Sequence, residues 1–172
     1  MQKLSKNIVA ILEILNKHKI EYVVVGGVGN ILHGANISTK DIDVCPSTSK
    51  ENFARISSAL IELKAKLRGA EDVDIPIVPG LLKNMQIGTW VTSLGDLDII
   101  HTIPAGVKGE RYNYEKLYQR HIDSTFEGLT VHVASLKDIV ASKRFAGRPK
   151  DLAVLPELEE LLRKQEDHEE NV

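Results

Sequence analysis

Apolar residues recur at helical spacing at the start of the chain. Ile8, Leu12 and Leu15 form a stripe that Val9 and Ile11 widen, which predicts an amphipathic helix over about 5–19. Residues 21–25 are rich in β-branched side chains and predict a buried strand, which Gly26-Gly27 ends. A short helix over 28–33 follows and stops at Gly34. Residues 41–45 alternate strictly between polar and apolar, the mark of a strand with one face covered. Thr48 with Glu51 fits a capping box, and the helix it opens carries Phe53, Ile56, Leu60, Leu63 and Leu67 on one face, ending before Gly69. Residues 70–80, with Pro76 and Pro79, read as loop. Two strands are expected over 85–91 and 97–101, joined by a turn at Ser93-Leu94-Gly95, and then a mobile loop over 102–110 with glycines at 106 and 109.

The last third opens with a short aromatic helix over 112–118 and a hairpin that turns at Phe126-Glu127-Gly128 and returns over 129–133. Ser135, with Asp138 three residues on, caps a helix that reaches Ala146 and stops at Gly147. A final helix is predicted over 151–163, with a frayed acidic tail over 165–172. Helices thus interleave with strands and close the chain, which predicts an α/β (α+β) fold: a mixed sheet flanked by helices, with a C-terminal helical segment. One domain is expected, with a core over about 5–134 and C-terminal helices over about 135–165.

Composition narrows the setting. Hydrophobic residues make up 42% and charged residues 27%, enough for a packed core, and with 5% aromatics that core must be aliphatic. Cys45 is the single cysteine, which excludes an internal disulfide and favours a reducing, cytoplasmic compartment. The polar N-terminus and the lack of any run of about 18 apolar residues argue against a signal peptide and a membrane partner. A net charge of −2 provides no global field for a polyanion.

Candidate chemistry concentrates between Val25 and Val44. Asp41 and Asp43 point to one face of their strand, whereas Ile42 and Val44 point to the other. Adjacent carboxylates repel unless a cation or strong donors neutralise them, and their hard oxygens suit Mg²⁺ or Mn²⁺. Gly26-Gly27 lets the backbone approach an anion closely, and the short helix beyond offers unpaired N–H groups to phosphate. Either motif alone is unspecific; together, 13 residues apart, they are informative. Lys143 shares the helix face of Ile139 and Val140, so it either snorkels to solvent or meets a buried anion.

Other side chains carry less. His33 reads as a helix-end residue, His101 as either a substrate contact or an exposed rim residue, and Cys45 as a small hydrophobe. Tyr112, Tyr114 and Tyr118 suit stacking on a base or packing on the sheet. No G-x-x-x-x-G-K-[ST] loop and no Cys/His zinc spacing occurs.

The run Gly26-Gly27, His33-Gly34 and Ser38-Thr39-Lys40-Asp41-Ile42-Asp43 resembles the nucleotidyltransferase superfamily with a polymerase-β-like core, and within it the small bacterial members that include the toxin-like AbiEii group. The likeness extends through Gly95-Asp96-Leu97-Asp98 and Ser135–Lys143 to Gly147–Leu152. It implies Asp41 and Asp43 as catalytic metal ligands and a third carboxylate from the later strand. Asp98 is preferred over Asp96, which adjoins Gly95 and reads as a turn residue. It further implies nucleotide contacts from Gly26, Gly27, Thr39, Lys143 and Arg148, with Lys150 more readily a solvated charge. Two positions depart from the family pattern: Ile37 stands where an arginine is usual, and Val154 where a second acidic residue is common.

The activity this resemblance implies is two-metal transfer of a nucleoside monophosphate from a nucleoside triphosphate to an acceptor hydroxyl. An RNA end or a protein is the leading acceptor, toxin-like and with a possible cognate antitoxin as partner. A small molecule, as in antibiotic-modifying relatives, is the enzymatic alternative. A catalytically silent nucleotide-binding module, supported by Ile37, is the rival of another class.

Overall fold

The computed structural model describes residues 4–170. Helix α1 (Lys6–Lys17) begins where the Ser5 hydroxyl accepts the Ile8 N–H, and it buries Ile8, Ile11, Leu12 and Leu15. Each such side chain contributes about 1.5–3 kcal/mol by leaving water. Strand β1 (Tyr22–Val25) leads directly into α2 (Gly26–Leu32). This helix therefore starts two residues earlier than the sequence pattern suggests, with both glycines in its first turn, where N–H groups lack intrahelical partners. Strand β2 (Asp41–Pro46) follows.

Helix α3 (Lys50–Glu62) differs from its prediction at both ends. Its cap is Ser49, whose hydroxyl accepts the Asn52 N–H at 3.2 Å, rather than Thr48. The one-residue shift frees the Asn52 side chain, which accepts from the Glu21 N–H and donates to the carbonyls of Glu21 and Ser47, at 2.8, 2.9 and 2.8 Å. At the far end Lys64 takes up the left-handed conformation (φ 52°), and Ala65 N–H reaches the Leu60 carbonyl. That is a Schellman stop with lysine where glycine is usual. Leu63 and Leu67 thus lie beyond the helix, and Lys66–Leu67 form β3.

After a loop, α4 (Pro79–Asn84) precedes the hairpin of β4 (Ile87–Thr92) and β5 (Gly95–Ile100). The expected mobile loop at 102–110 is instead a small built unit. Strand β6 (Ile103–Pro104) pairs with β7 (Arg111–Tyr112) across a 3₁₀ turn, and Ile103 and Ala105 are buried. Helix α5 (Tyr114–Tyr118), capped by Asn113, leads to the hairpin of β8 (Ile122–Phe126) and β9 (Leu129–Val133). Helix α6 (Leu136–Ala146) has Ser135 as its cap and stops at left-handed Gly147. Helix α7 (Pro149–Glu169) is longer than predicted and continues through most of the expected tail, with Pro149 in the first turn where its missing N–H costs nothing.

The main sheet runs β3-β4-β5-β2-β1-β9-β8. Strands β2 and β5 are parallel, as are β1 and β9, while the other neighbours are antiparallel. Helices α1 and α3 cover the face that carries Val44, Leu97 and Ile99. The other face of β2 and β5 opens toward α6 and α7. Among the described residues, no helix is long and apolar enough to cross a membrane.

Candidate active site

Register assembles the acidic residues. Asp41 lies opposite Asp96 and Asp43 opposite Asp98 across the parallel β2–β5 pair. Residues paired in this way share a face and are about 4.8 Å apart across the ladder. Four carboxylates therefore stand on the face left open by α1 and α3. Asp96 is an in-register strand residue, not the turn residue expected, because β5 begins at Gly95 itself. Asp98 is the more enclosed of the two, with 16% of its side chain exposed against 39% for Asp96, and it lines the cavity together with Asp41 and Asp43.

Arg68, just past β3, was not visible in the sequence pattern. Its guanidinium donates to Asp98 Oδ1 at 2.8 Å and lies 3.3 Å from Asp96. Burial and the neighbouring charges of Asp98 and Asp41 push Asp43 up to about 6. Burial likewise raises Asp98, against the opposing effect of Arg68. An excess of clustered negative charge that the chain itself does not fully neutralise, presented by hard oxygen donors, fits a divalent cation such as Mg²⁺ or Mn²⁺.

The glycines are there because the site is crowded. Gly26 has φ +63°, and a Cβ on it would stand 2.1 Å from Asp43 Oδ2. A Cβ on Gly27 would stand 2.8 Å from the Thr39 hydroxyl. Gly26→Ala is therefore expected to destabilise the chain by at least about 2 kcal/mol, combining the left-handed backbone with displacement of the carboxylate. At about 2–4 °C per kcal/mol, thermal melting resolves this readily. Gly80→Ala, whose Cβ would meet nothing within 4 Å, is the control and should melt with the parent.

The cavity has a volume of about 680 Å³. Gly26, Gly27, Thr39, Asp41, Asp43 and Asp98 line one side, and Lys143 and Arg148 line another. Asp151, fully buried, accepts from Lys143 Nζ at 2.9 Å and from Arg148 Nε at 2.6 Å. Lys143 thus meets a buried anion, as one of its two readings allowed, and that anion belongs to the chain. Lys150 also lines the cavity, and its charge is felt at Asp43. Ile37, the departure from arginine, contributes an apolar patch, as do Ile87, Ile100, Ile103 and Pro104.

The lesser candidates separate cleanly. His33 donates to the Ala134 carbonyl at 2.8 Å, a helix-end tie to the start of α6. His101 is neither rim nor substrate contact: three residues past Asp98 it has the opposite parity, and it is buried against Phe53. Cys45 is fully buried, its thiol pushed up to about 12 by burial. Of the tyrosines, Tyr114 and Tyr118 stack on each other, and none of the three lines the cavity.

Comparison with known proteins agrees with this architecture. No curated protein matches the chain significantly. Among solved structures, the lincosamide antibiotic adenylyltransferase LnuA, solved with lincomycin bound, is similar over 94% of this chain and 99% of its own (TM-score 0.62, 15% identity). The antibiotic-resistance factor ANT(2'')-Ia is similar over 96% of this chain and 94% of its own (TM-score 0.56, 13% identity). TM1012 from Thermotoga maritima, provisionally classed as a nucleotidyltransferase, is similar over 94% and 91% (TM-score 0.55, 18% identity). At such identities these likenesses establish the fold alone. The sequence itself matches, over residues 2–169, the family described as "Nucleotidyltransferase of unknown function (DUF6036)", and with nearly its whole length inside that match the chain belongs to this nucleotidyltransferase family.

Proposed function

We propose that the chain transfers a nucleoside monophosphate from a nucleoside triphosphate to a hydroxyl of a small-molecule acceptor. The observation that carries this reading is the convergence of Asp41, Asp43 and Asp98 on one wall of a cavity whose other wall holds Lys143 and Arg148. Asp41 and Asp43 would hold the cation that accompanies the triphosphate, and Asp98 would join them for a second. When bound, the cations neutralise phosphate oxygens and make the acceptor hydroxyl more acidic.

The chain's own groups do the rest. Gly26 and Gly27 let the side chains of Asp43 and Thr39 reach the cavity, where Thr39 would contact the triphosphate beside Asp43. Asp98, whose Oδ1 is engaged by Arg68, has Oδ2 to accept the hydroxyl proton. The hydroxyl oxygen bonds to the α-phosphorus as the α–β bridge breaks, and pyrophosphate leaves toward Lys143 and Arg148, whose charge offsets its own. Water exclusion falls to Ile87, Ile100, Ile103 and Pro104.

A small acceptor suits the site better than the RNA end or protein that the sequence favoured. The cavity has the volume of a small-molecule pocket, one flank is apolar, and the net charge of −2 adds no long-range attraction for a nucleic acid. LnuA and ANT(2'')-Ia support this as fold analogues, the latter solved with adenylyl-2''-tobramycin. They lend nothing to a cognate antitoxin.

The test is incubation with Mg²⁺, each α-labelled nucleoside triphosphate, and separate pools of hydroxylated small molecules, total RNA and cell protein. Label on a small molecule with one pyrophosphate per transfer is expected. Label on RNA or protein overturns the acceptor assignment, and nucleotide binding without pyrophosphate release across all pools favours the silent module.

A further inference from the structure

Away from the cavity, on the edge hairpin of the sheet, stands a second cluster of potential ligands. Asp123 lies directly opposite His132 across the antiparallel β8–β9 pair. His121 precedes Asp123 by two residues and extends the same face. One nitrogen of each imidazole reaches the same oxygen: His121 Nε2 is 3.1 Å and His132 Nδ1 2.7 Å from Asp123 Oδ1. The three ligand atoms lie within 4.8 Å of one another. Tyr118 braces both rings, stacked on His121 at 4.4 Å and edge-on to His132 at 5.1 Å.

The hydrogen-bond pattern says what this arrangement lacks. His121 Nδ1 contacts the backbone carbonyl of Tyr118, an acceptor with no proton to give, so Nδ1 must be the donor. In the neutral ring Nε2 then carries a lone pair, and it faces a carboxylate oxygen. Two acceptors at that separation repel unless a proton or a metal ion sits between them. A backbone carbonyl holding the far N–H is the usual outer partner of a metal-bound imidazole. Tetrahedral Zn²⁺, with ligand bonds of about 2.0–2.1 Å, sets its ligand atoms about 3.3 Å apart. The two nitrogen–oxygen pairs, at 3.1 and 2.7 Å, lie about 0.2 and 0.6 Å inside that spacing, so a bound ion would move the His132 ring slightly outward.

We propose that His121, Asp123 and His132 form a transition-metal site, selective for Zn²⁺ over Mg²⁺, that clips the α5–β8 junction to the sheet edge and leaves a fourth position toward solvent. Two imidazoles and one carboxylate form a borderline-soft set that Mg²⁺ does not favour, whereas the all-oxygen cavity does favour it. The site is separate from the nucleotidyl-transfer reading and stands whether or not that reading holds.

The test uses the full chain stripped with chelator and titrated with Zn²⁺ by calorimetry in excess Mg²⁺, with Co²⁺ as a spectroscopic substitute. One equivalent should bind, with visible Co²⁺ absorption of a tetrahedral site and a rise in melting temperature. His121→Gln and His132→Gln should each weaken binding at least about 100-fold, since loss of an outer partner alone weakens such sites about 10–100-fold. Both variants should retain the parent's metal-free melting temperature and any transferase activity. The Asp41→Asn/Asp43→Asn chain should bind Zn²⁺ as the parent does. Absence of uptake, equal uptake by the histidine variants, or uptake lost in the double aspartate variant would each overturn the assignment. In the first of those cases the cluster is an imidazolium–carboxylate pair.

Discussion

Replacing Asp41 and Asp43 together with asparagine is expected to abolish nucleotidyl transfer, by at least about 10³-fold in kcat, while leaving the fold intact. The magnitude follows from losing both the cation's anchor and the charge stabilisation it brings, each of which is worth orders of magnitude in a water-excluded site. The same variant carries a second signature that separates a functional site from a structural one. In chelating buffer at neutral pH it should melt above the parent, because the amides remove repulsion among Asp41, Asp43 and Asp98 without changing shape. Added Mg²⁺ should narrow that difference by stabilising the parent alone. Melting curves with chelator and with Mg²⁺, alongside single-turnover transfer, report both effects. A variant that melts lower than the parent with chelator would show that the carboxylates are structural donors.

Asp151→Ala is expected to have the largest effect on stability, about 3 kcal/mol, or about 6–12 °C in melting temperature. The reason is asymmetry. Asp151 is wholly buried and accepts from two cations, and its removal strands the Lys143 ammonium, whose side chain is 16% exposed. Arg148, more than half exposed, can turn to solvent and adds less. Removing both ends of the buried pair, as in Lys143→Met with Asp151→Leu, should recover much of the stability and none of the nucleotide affinity. The pH dependence has a definite sign. Burial acts to raise Asp151, but the hydrogen bonds from Arg148 and Lys143 prevail and hold it at about 2, below its usual 3.8. The pair's stabilisation is thus complete above about pH 4 and drains away as pH falls toward 2. Urea midpoints at pH 5 and pH 3 should show the gap between parent and Asp151→Ala shrinking at the lower value.

Why some of this was legible in the sequence and some not comes down to whether a feature is local. Alternation placed Asp41 and Asp43 on one face, and hydrophobic flanks picked out Asp98, because face is fixed by parity along a single strand. Arg68 escaped because the stop of α3 is hidden: lysine at position 64 adopts the left-handed turn that glycine usually signals, so the apolar spacing seemed to run on to Leu67. A two-residue strand such as β3 has no periodicity to read. Asp151 falls within the Gly147–Leu152 run that resembles the family, but its partnership with Lys143 needs the sharp turn at Gly147 to bring α6 and α7 together. The His121, Asp123 and His132 cluster is set by cross-strand register, which spacing along the chain does not encode.

The ribbon of β6 and β7 shares no ladder with the seven-stranded sheet. Ile103 and Pro104 nonetheless supply one flank of the cavity, while the acidic residues are locked into β2 and β5. On the proposed function, the residues that would hold phosphate and the apolar flank that would meet the acceptor therefore sit on separate elements. Substitution of Pro104 or Arg111, which line the cavity, is expected to retune which compounds are admitted without shifting an aspartate, provided Ile103 stays seated. Divergence in chemical diet among homologues should then be written in this ribbon, and grafting it between two of them should carry preference across while leaving turnover chemistry as it was.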